Sequence, residues 1–291
     1  MAQIHYRLED LEERKLQEIE HSRNRRKILK GYERQSDTNA AEQADLSQMV
    51  RDPEAFKKHF SNVKYYSIQK SLEEYETDWF RQRVRPGTRV LDYACGSGEN
   101  GIIAAKFGAT VTGIDISPEG IENAEANAAA AGVGSLCSYE VMDGEDLKFP
   151  DNSFDLIVVY GALHHVKLDR AMEECTRVLV PGGQMLALEA LRHNPIIHTY
   201  RKLTPNLRTP WEVPHILGVP EIQSCKRYFE SVTTRYFHLL SLLAVPFRKT
   251  SLFIPLRDFL DRLDHRILSW EPIGKYAWVS ATTFANPKKT R

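Results

Sequence analysis

Two aspartates and two glycines are spaced so that they could bind the sugar and tail of a nucleoside. A short apolar run leads into Asp92 and is soon followed by Gly96 and Gly98, and the next apolar run ends in Asp115. Glycine lets the backbone approach a ligand closely because it has no side chain. A carboxylate at a strand tip offers acceptors to the two hydroxyls of a ribose. This spacing therefore predicts a nucleoside site formed by Gly96, Gly98 and Asp115.

These residues need a sheet that brings strand ends together. From residue 86 onward, apolar runs typical of strands alternate with stretches typical of helices. Such repeated βα units predict a parallel sheet covered by helices on both faces, with ligands bound outside the carboxyl ends of the strands. The predicted strands are residues 89–94, 110–114, 138–142, 154–159 and 184–189, followed by strand-like runs at 231–237 and 276–284.

The glycine pattern alone does not decide which nucleoside binds. Gly96, Gly98 and Gly101 have the GxGxxG spacing of NAD-binding turns, so the pattern does not exclude NAD. However, Asp92 lies close to the turn and Glu99 begins the following helix, where a pyrophosphate would be repelled. These acids favour a cationic cofactor with an amino-acid tail.

Residues 86–190 resemble the class I S-adenosylmethionine (AdoMet)-dependent methyltransferases, and most nearly the small-molecule branch that includes the ubiquinone and menaquinone methyltransferases. The motifs that carry the resemblance occur in the family's order. They are Val90–Gly98, the strand that ends at Asp115, Val141–Leu147, Ser153–His165 and Arg177–Gly183. The resemblance implies an α/β fold with a Rossmann-like, seven-stranded, mostly parallel sheet that is antiparallel at its last strand. It also implies AdoMet as cofactor and S-adenosylhomocysteine (AdoHcy) as product.

The resemblance assigns roles around that cofactor. Asp115 would bind the ribose, Ile116 would pack on the adenine, and Asp143 would accept from the adenine amino group. Asp92 would organise the amides of the glycine turn. The predicted cofactor-binding residues are Tyr65, Asp92, Gly96, Gly98, Asp115, Ile116, Asp143, Gly144 and Tyr160.

Composition divides the chain into two parts. Residues 1–84 are rich in charge and predict a helical N-terminal cap, whereas residues 85–291 carry the predicted methyltransferase domain. Within that domain we expect an acceptor-pocket loop at 190–220 and an apolar helical insert at 238–273. In similar enzymes the N-terminal segment closes over the cofactor, so Tyr65 would reach the cofactor's carboxylate or sulfonium end; the alternative is that Tyr65 packs as ordinary core.

Methyl transfer to a neutral oxygen or nitrogen also requires the removal of a proton, typically by His, Asp or Glu. Such a base must follow a strand at the cofactor edge of the sheet. We expect His165, after the fourth strand, to be the base, with Glu189 and His193 as alternatives. No metal is expected, because Tyr160 and the three residues after it supply no ligands and the four cysteines lack zinc-site spacing.

Charge balance and missing motifs indicate a small-molecule acceptor and no nucleic-acid partner. The chain has 39 basic and 39 acidic residues, whereas nucleic-acid-binding domains are usually strongly basic. Residues 158–161 lack the Asn/Asp-Pro-Pro-Tyr/Phe motif of many nucleic-acid amino methyltransferases, and the paired-glutamate loop of the protein-arginine enzymes is also missing. The apolar insert would suit an apolar or aromatic acceptor attacked at O, N or C, although it could equally be core or the surface of a homodimer.

Two other functions stay open at this point. The basic segment Arg23–Lys27 could serve an RNA or protein methyltransferase, although it also suits a solvated helix face. The chain could instead be a non-catalytic AdoMet-binding subunit of the same fold. The N-terminus lacks the apolar stretch of a signal peptide, and the apolar run at 236–247 is shorter than the roughly 20 residues that span a bilayer. We therefore expect a cytoplasmic protein.

Overall fold

The computed structural model describes residues 3–28 and 62–289, and within them seven strands form one sheet. The strands are β1 Arg89–Tyr93, β2 Thr110–Asp115, β3 Cys137–Val141, β4 Phe154–Tyr160, β5 Leu179–Ala190, β6 Phe229–Phe237 and β7 Val279–Pro287. Their order is β3-β2-β1-β4-β5-β7-β6, with β1 to β5 parallel and β7 antiparallel to both of its neighbours. The expected sheet, mostly parallel and antiparallel at its last strand, is confirmed.

Helices connect the strands and extend the chain at both ends of the domain. The α-helices of the described residues are α1 Glu13–Ile28, α2 Val63–Tyr66, α3 Lys70–Arg83, α4 Glu99–Lys106, α5 Pro118–Ala130, α6 Leu168–Val178, α7 Pro195–Leu203, α8 Glu212–His215, α9 Val219–Ser224, α10 Phe253–Ile267 and α11 Glu271–Gly274. Short 3₁₀ turns occur at Leu8–Asp10, Gly134–Leu136, Leu163–His165, Pro205–Leu207, Cys225–Arg227 and Ser241–Phe247.

The sheet is buried on both faces, as the apolar strands require. Successive residues of a strand point to opposite faces. Leu156 and Val158 of β4 therefore belong to a core shared with α3, α4 and α5, whereas Ile157 and Val159 belong to a second core shared with α6. Because helices cover both faces, ligands can reach the sheet only at its edges and strand ends.

The strand β5 begins earlier than the apolar pattern predicts. The sequence indicates a strand at 184–189, but β5 begins at Leu179, which pairs with Phe154, and regular pairing resumes where Gln184 meets Leu156. Pro181 lies in the irregular stretch between these two pairs. Proline has no N–H to donate to the ladder, and it is tolerated there because regular pairing is interrupted in this stretch.

The segment at 190–220 is helical where the sequence analysis expects a loop. α7 begins after Asn194, whose side chain accepts a hydrogen bond from the N–H of Ile197 at 2.9 Å, and Pro195 occupies the first turn. Asparagine at the N-cap followed by proline is a helix-start signal. That signal is present in the sequence and could have predicted α7.

The N-terminal residues lie along the edge and ends of the sheet. Val141 donates to the carbonyl oxygen of Gln3 and accepts from the N–H of His5, both at 2.9 Å, so the first described residues run beside β3. From there α1 crosses to α5, where Arg23 pairs with Glu119 at 2.6 Å. The side chains at 25–28 of the predicted basic segment lie outside those described, as do residues 29–61 of the predicted cap.

The apolar insert at 238–273 packs beside the outer strands. Its helix α10 carries the buried Asp264, which accepts from the backbone N–H groups of Leu239, Leu240 and Ser241 at 3.0, 2.7 and 2.9 Å. This carboxylate joins the two ends of the insert. The insert is therefore an ordered part of the fold whose two ends are joined by a buried carboxylate.

Candidate active site

One cavity of about 480 Å³ follows the carboxyl ends of the parallel strands and passes beneath α1. We call its two ends the cofactor half and the acceptor half. The cofactor half is lined at the ends of β1, β2 and β3 by Tyr93, Ala94, Gly96, Ile114, Asp115, Ile116, Met142, Asp143, Gly144 and Glu145. The acceptor half is lined by Glu18, Tyr65, Tyr66, His164, His165, Ile197, Tyr200, Arg201, Leu207, Arg208, Glu212 and Trp278. The sheet order explains this division. In the sheet, β2 and then β3 lie on one side of β1, whereas β4, β5 and β7 lie on its other side.

The two predicted glycines have different positions. Gly96 lines the cavity with a φ of 57°, in the left-handed region that favours glycine. Gly98 is the N-cap residue of α4 and is not part of the lining; a Cβ there would lie 2.8 Å from the Tyr139 hydroxyl oxygen. Gly96 can thus face a ligand directly, whereas Gly98 allows the turn to pack tightly.

Asp92 lies behind the glycine turn and does not line the cavity. It is fully buried, and its Oδ2 accepts a hydrogen bond from the N–H of Gly101 at 2.8 Å. Burial raises the pKa of this carboxyl to about 8, against a smaller opposing effect of the Gly101 N–H. Its position agrees with the predicted task of organising loop amides, although that role stays a prediction.

Asp115 is held at the strand tip with both carboxylate oxygens oriented. Oδ2 accepts from the N–H of Gly96 at 2.9 Å, and Oδ1 accepts from the N–H of Ser117 at 2.8 Å. Each oxygen keeps acceptor capacity for one more hydrogen bond. A carboxylate fixed in this way at the cavity wall fits the diol of a ribose, with Ile116 beside it in the lining.

The acids after β3 form an ion-pair cluster with α1. The Nζ of Lys15 lies 2.5 Å from Asp143 Oδ2 and 3.1 Å from Glu145 Oε2, while Arg14 lies 2.6 Å from Glu145 Oε1. Burial alone would raise the pKa of Glu145, but Arg14, Lys15 and a backbone N–H outweigh it and lower that pKa. Gly144 stands between these acids, and a Cβ there would overlap the Tyr93 hydroxyl group.

His165 lies in the acceptor half beside a buried carboxylate from α1. Its Nδ1 is 3.0 Å from Glu18 Oε2, and Glu18 also accepts from the hydroxyl of Thr209. Burial alone would lower the pKa of His165, but the carboxylate of Glu18 outweighs it and raises that pKa. The same pair lowers the pKa of Glu18 against the effect of its burial. This contact leaves Nε2 as the ring nitrogen that can take a proton.

The other two predicted catalytic residues do not reach the cavity. Glu189 is 1% exposed and accepts from the N–H groups of Ala162 and Leu163 at 2.8 and 2.7 Å, and its other oxygen lies 2.8 Å from Nδ1 of His164. It therefore holds the turn that presents His165. His193 is exposed, outside the lining, with its Nε2 3.4 Å from Arg192 Nε.

Tyr65 belongs to an aromatic group in the acceptor half. Its ring lies edge-on to Tyr200 and Trp278, with centroids at 5.1 and 5.9 Å. Burial raises the pKa of Tyr65, with a smaller contribution from Tyr200. Tyr160 lines the cavity at the end of β4, between the two halves. The predicted contact of both tyrosines with a cofactor stays a prediction.

Two features of the acceptor half are absent from the sequence analysis. One is Glu18 on α1, a helix whose charges suggested either a solvated face that suits the helix dipole or a basic segment for an RNA or protein partner. The burial of Lys15 and Ile19 on α1, 9% and 4% exposed, shows that this helix instead packs onto the domain. The other is the pair Arg201 and Arg208 near α7. The insert 238–273 contributes no described residue to the lining, which favours, of the alternatives left open for it, packed core or a dimer surface over a wall for the acceptor.

Within residues 3–28 and 62–289, no group of three or more His, Cys, Asp or Glu side chains is arranged to hold a metal ion. Over the same residues, every helix is too short or too polar to cross a membrane.

Known proteins resemble this chain in its central part. Residues 91–187 match the family model Methyltransf_11, described as a methyltransferase domain. A demethylmenaquinone methyltransferase of Symbiobacterium thermophilum is 36% identical over 121 residues, 38% of this chain and 48% of that protein. A 27-O-demethylrifamycin SV methyltransferase of Amycolatopsis mediterranei is 39% identical over 105 residues, 35% of this chain and 38% of that protein. The matches thus span about half or less of these curated relatives.

A solved structure extends the likeness to almost the whole chain. The geranyl diphosphate C-methyltransferase from Streptomyces coelicolor A3(2), in complex with Mg²⁺, geranyl diphosphate and AdoHcy, superposes with a TM-score of 0.56. The match covers 96% of this chain and 99% of that one at 13% sequence identity, which shows a shared fold.

The strand order, the glycine turn after β1 and the acid that ends β2 define a class I methyltransferase fold. Residues 91–187 are similar to the methyltransferase domains that the Methyltransf_11 model describes.

Proposed function

We propose that this chain is an AdoMet-dependent methyltransferase acting on a small, apolar or aromatic molecule at O, N or C. One observation carries the proposal: a single cavity joins an oriented carboxylate, Asp115, to a histidine, His165, whose second nitrogen is available for a proton. In this proposal Asp115 would bind the nucleoside and His165 would face the acceptor. The names of the relatives, which include quinone and rifamycin methyltransferases, agree with a small-molecule acceptor.

The lining of the cofactor half supplies groups that suit AdoMet. Asp115 would hold the ribose, Ile116 and Gly144 would border the adenine, and Gly96 would allow the backbone to approach the methionine end. Arg14 and Lys15 offset the charges of Asp143 and Glu145. The carboxylate of Asp115 then leaves this half with a net negative charge, which suits a cofactor that carries a sulfonium and an ammonium group. When bound, AdoMet supplies an electrophilic methyl group.

The acceptor half would position the nucleophile and take its proton. Holding two reactants in a near-attack geometry supplies a large part of the acceleration of such a displacement. The rings of Tyr65, Tyr200 and Trp278 offer apolar surface to an acceptor. His165 would accept the proton at Nε2, and Glu18 would stabilise the resulting imidazolium through Nδ1.

The cytoplasmic location and the homodimer stay predictions.

The test compares two aspartates that accept backbone hydrogen bonds at opposite ends of the parallel strands. Asp115 lines the cavity, whereas Asp155 accepts from the N–H of Arg89 at 2.8 Å and pairs with its guanidinium. Asp115→Ala should weaken AdoMet binding by about 1.5–3 kcal/mol, the effect of leaving buried donors and ligand hydroxyls unpaired. Asp155→Ala should leave the affinity unchanged. Both are measured by titration calorimetry.

The same protein is then screened with AdoMet and a set of phenols, quinols and amines for release of AdoHcy. Unchanged AdoMet affinity in Asp115→Ala would contradict the cofactor assignment. Tight AdoMet binding without turnover on any acceptor would instead support the non-catalytic subunit.

A further inference from the structure

The acceptor half contains a buried arginine that forms no ion pair with a carboxylate of residues 3–24 or 62–289. Arg201 on α7 lines the cavity and is 8% exposed. Its Nη1 donates to the carbonyl oxygen of Leu191 at 2.9 Å. No carboxylate of the described residues lies within ion-pair distance of this guanidinium, although Glu212 faces the same cavity. Part of its hydrogen-bonding capacity is therefore left for a ligand.

The neighbouring charged groups of the acceptor half are matched with each other. The Nε of Arg208 lies 3.2 Å from Glu212 Oε1, and its Nη1 donates to the carbonyl oxygen of Thr204 at 2.9 Å. On the opposite wall, His165 is paired with Glu18 at 3.0 Å. Glu212 is the carboxylate that acts on Arg201, but it lies beyond ion-pair distance and is itself paired with Arg208.

Such an arrangement is costly without a ligand. Removing a charge from water is unfavourable unless an opposite charge and hydrogen bonds replace the lost solvation. Burial, and then the neighbouring Arg208, lower the pKa of Arg201 to about 10, so it stays charged at neutral pH. A purely structural contact to one carbonyl oxygen, that of Leu191, would not need a guanidinium.

We propose that Arg201 binds the carboxylate of an aromatic or apolar carboxylic acid, which is the acceptor. The inference rests on the proposed function and specifies its substrate class. A guanidinium presents a planar set of donors that matches a carboxylate with two parallel hydrogen bonds. One unmatched positive charge fits one negative charge, whereas a phosphate dianion would also face the carboxylates of Glu18 and Glu212. The carbon skeleton would lie against Tyr200 and Trp278.

In this arrangement the carboxylate is an anchor and is not the methylated group. Arg201 holds one end of the acceptor while a second group of the acceptor faces the cofactor half. A residue with this task is a specificity-determining residue. Its substitution should therefore change the preference among acceptors and leave the binding of AdoHcy unaltered.

The test uses the full chain saturated with AdoHcy and a panel of matched compounds. The panel contains benzoates, naphthoates and phenylalkanoates of increasing length, the corresponding neutral amides, and phenyl phosphate. Binding is measured by calorimetry for the wild type, Arg201→Gln, Arg201→Lys and Arg192→Gln. Arg192 is the matched control, because it lies in the same segment outside the cavity and pairs with Glu221 at 3.0 Å.

The wild type and Arg192→Gln should bind at least one acid about 10–100-fold more tightly than its amide, the range for a charge-assisted hydrogen-bonded pair. Arg201→Gln should lose that preference with unchanged AdoHcy affinity, and Arg201→Lys should retain only part of it. The inference is overturned if no acid is preferred over its amide, if phenyl phosphate is preferred over every acid, or if Arg201→Gln keeps the preference. Failure of the wild type to bind AdoHcy would instead refute the proposed function.

A second measurement separates ligand binding from a structural role. If Arg201 serves a ligand, the midpoint of thermal unfolding of Arg201→Gln without added acid should lie within about 2–4 °C of the wild-type midpoint. The carboxylic acid of the panel that binds most tightly should raise the midpoint of the wild type and leave that of Arg201→Gln unchanged. A much lower midpoint in Arg201→Gln, with no response of the wild type to any acid, would assign Arg201 to the support of Leu191.

Discussion

The cofactor half and the acceptor half of the cavity are built in different ways. In the cofactor half, Asp115 ends β2 and is oriented by two backbone N–H groups. One belongs to Gly96 in the turn after β1, and the other belongs to Ser117, two residues further along the chain. In the acceptor half, the side chains come from α1, α2, α7, α8 and the residue before β7, and His165 is oriented by a carboxylate far away in the sequence. The first half depends on local backbone geometry, and the second depends on how distant segments pack.

This difference implies that the two halves can be altered separately. Changes at the glycine turn or the strand tips should affect cofactor affinity, whereas changes on α1 or α7 should affect acceptor binding and proton transfer. The ion-pair cluster of Arg14 and Lys15 with the acids after β3 connects α1 to the cofactor half. Substitutions that change both halves equally would contradict the division.

The largest effect is expected at His165. If it removes a proton from an oxygen or nitrogen acceptor, His165→Gln should lower the rate of methyl transfer by about 10²–10⁴-fold. AdoMet affinity should not change, because the residue lies in the acceptor half. The rate is measured in single turnovers with an acceptor from the screen, and His193→Gln, exposed and outside the lining, is the control.

A rate loss below about tenfold would show that this acceptor needs positioning and no base. Glu189 would not replace His165 in that case, because its oxygens are already committed to the turn at 162–164.

An intermediate effect is expected in the cofactor half at Gly144. Alanine there would place a Cβ against the Tyr93 hydroxyl group, and overpacking of this kind typically costs about 1–3 kcal/mol. Gly144→Ala should therefore weaken AdoMet binding and lower the unfolding midpoint. Because that Cβ would also overlap the ring carbon that carries the hydroxyl, Tyr93→Phe should not relieve the overlap. Affinity and midpoint are measured by calorimetry and thermal unfolding.

Equal properties of Gly144→Ala and the wild type would mean that this turn adapts freely. A change in the KM for the acceptor without a change in AdoMet affinity would show that Gly144 affects the acceptor half and would contradict its assignment to the cofactor half.

The smallest effect is a shift in pH dependence. Glu18 raises the pKa of His165, so removing its charge by Glu18→Gln should lower that pKa. A base acts in its deprotonated form, and the acid limb of the profile of kcat/KM against pH should therefore move to lower pH. Glu20→Gln, exposed on the same helix, should leave the limb in place.

A limb that stays in place in Glu18→Gln would mean that another group controls the acid side of the profile. A shift to higher pH would contradict the sign of the interaction between Glu18 and His165.

Part of the molecule could be predicted from the sequence because short-range rules determine it. Glycines in a short turn, acids that end apolar runs and the alternation of strands with helices predicted the sheet and located Asp115 at the carboxyl end of its strand. Ile116 and Asp143 were assigned from the resemblance to a known family, and both line the cavity. The same rules could not distinguish Gly96, which lines the cavity, from Gly98, which allows Tyr139 to pack against the turn.

The acceptor half was decided by tertiary structure alone. The sequence determined that His165, Glu189 and His193 follow strands on the cofactor edge, but packing decided that one lines the cavity, one is buried beneath the turn and one faces solvent. Partners such as Glu18 and Arg201 come from helices whose local patterns carry no information about what they cover. The physical reason is that burial, charge pairing and the direction of a side chain depend on non-local contacts, which exist only once α1 and α7 have packed over the strand ends.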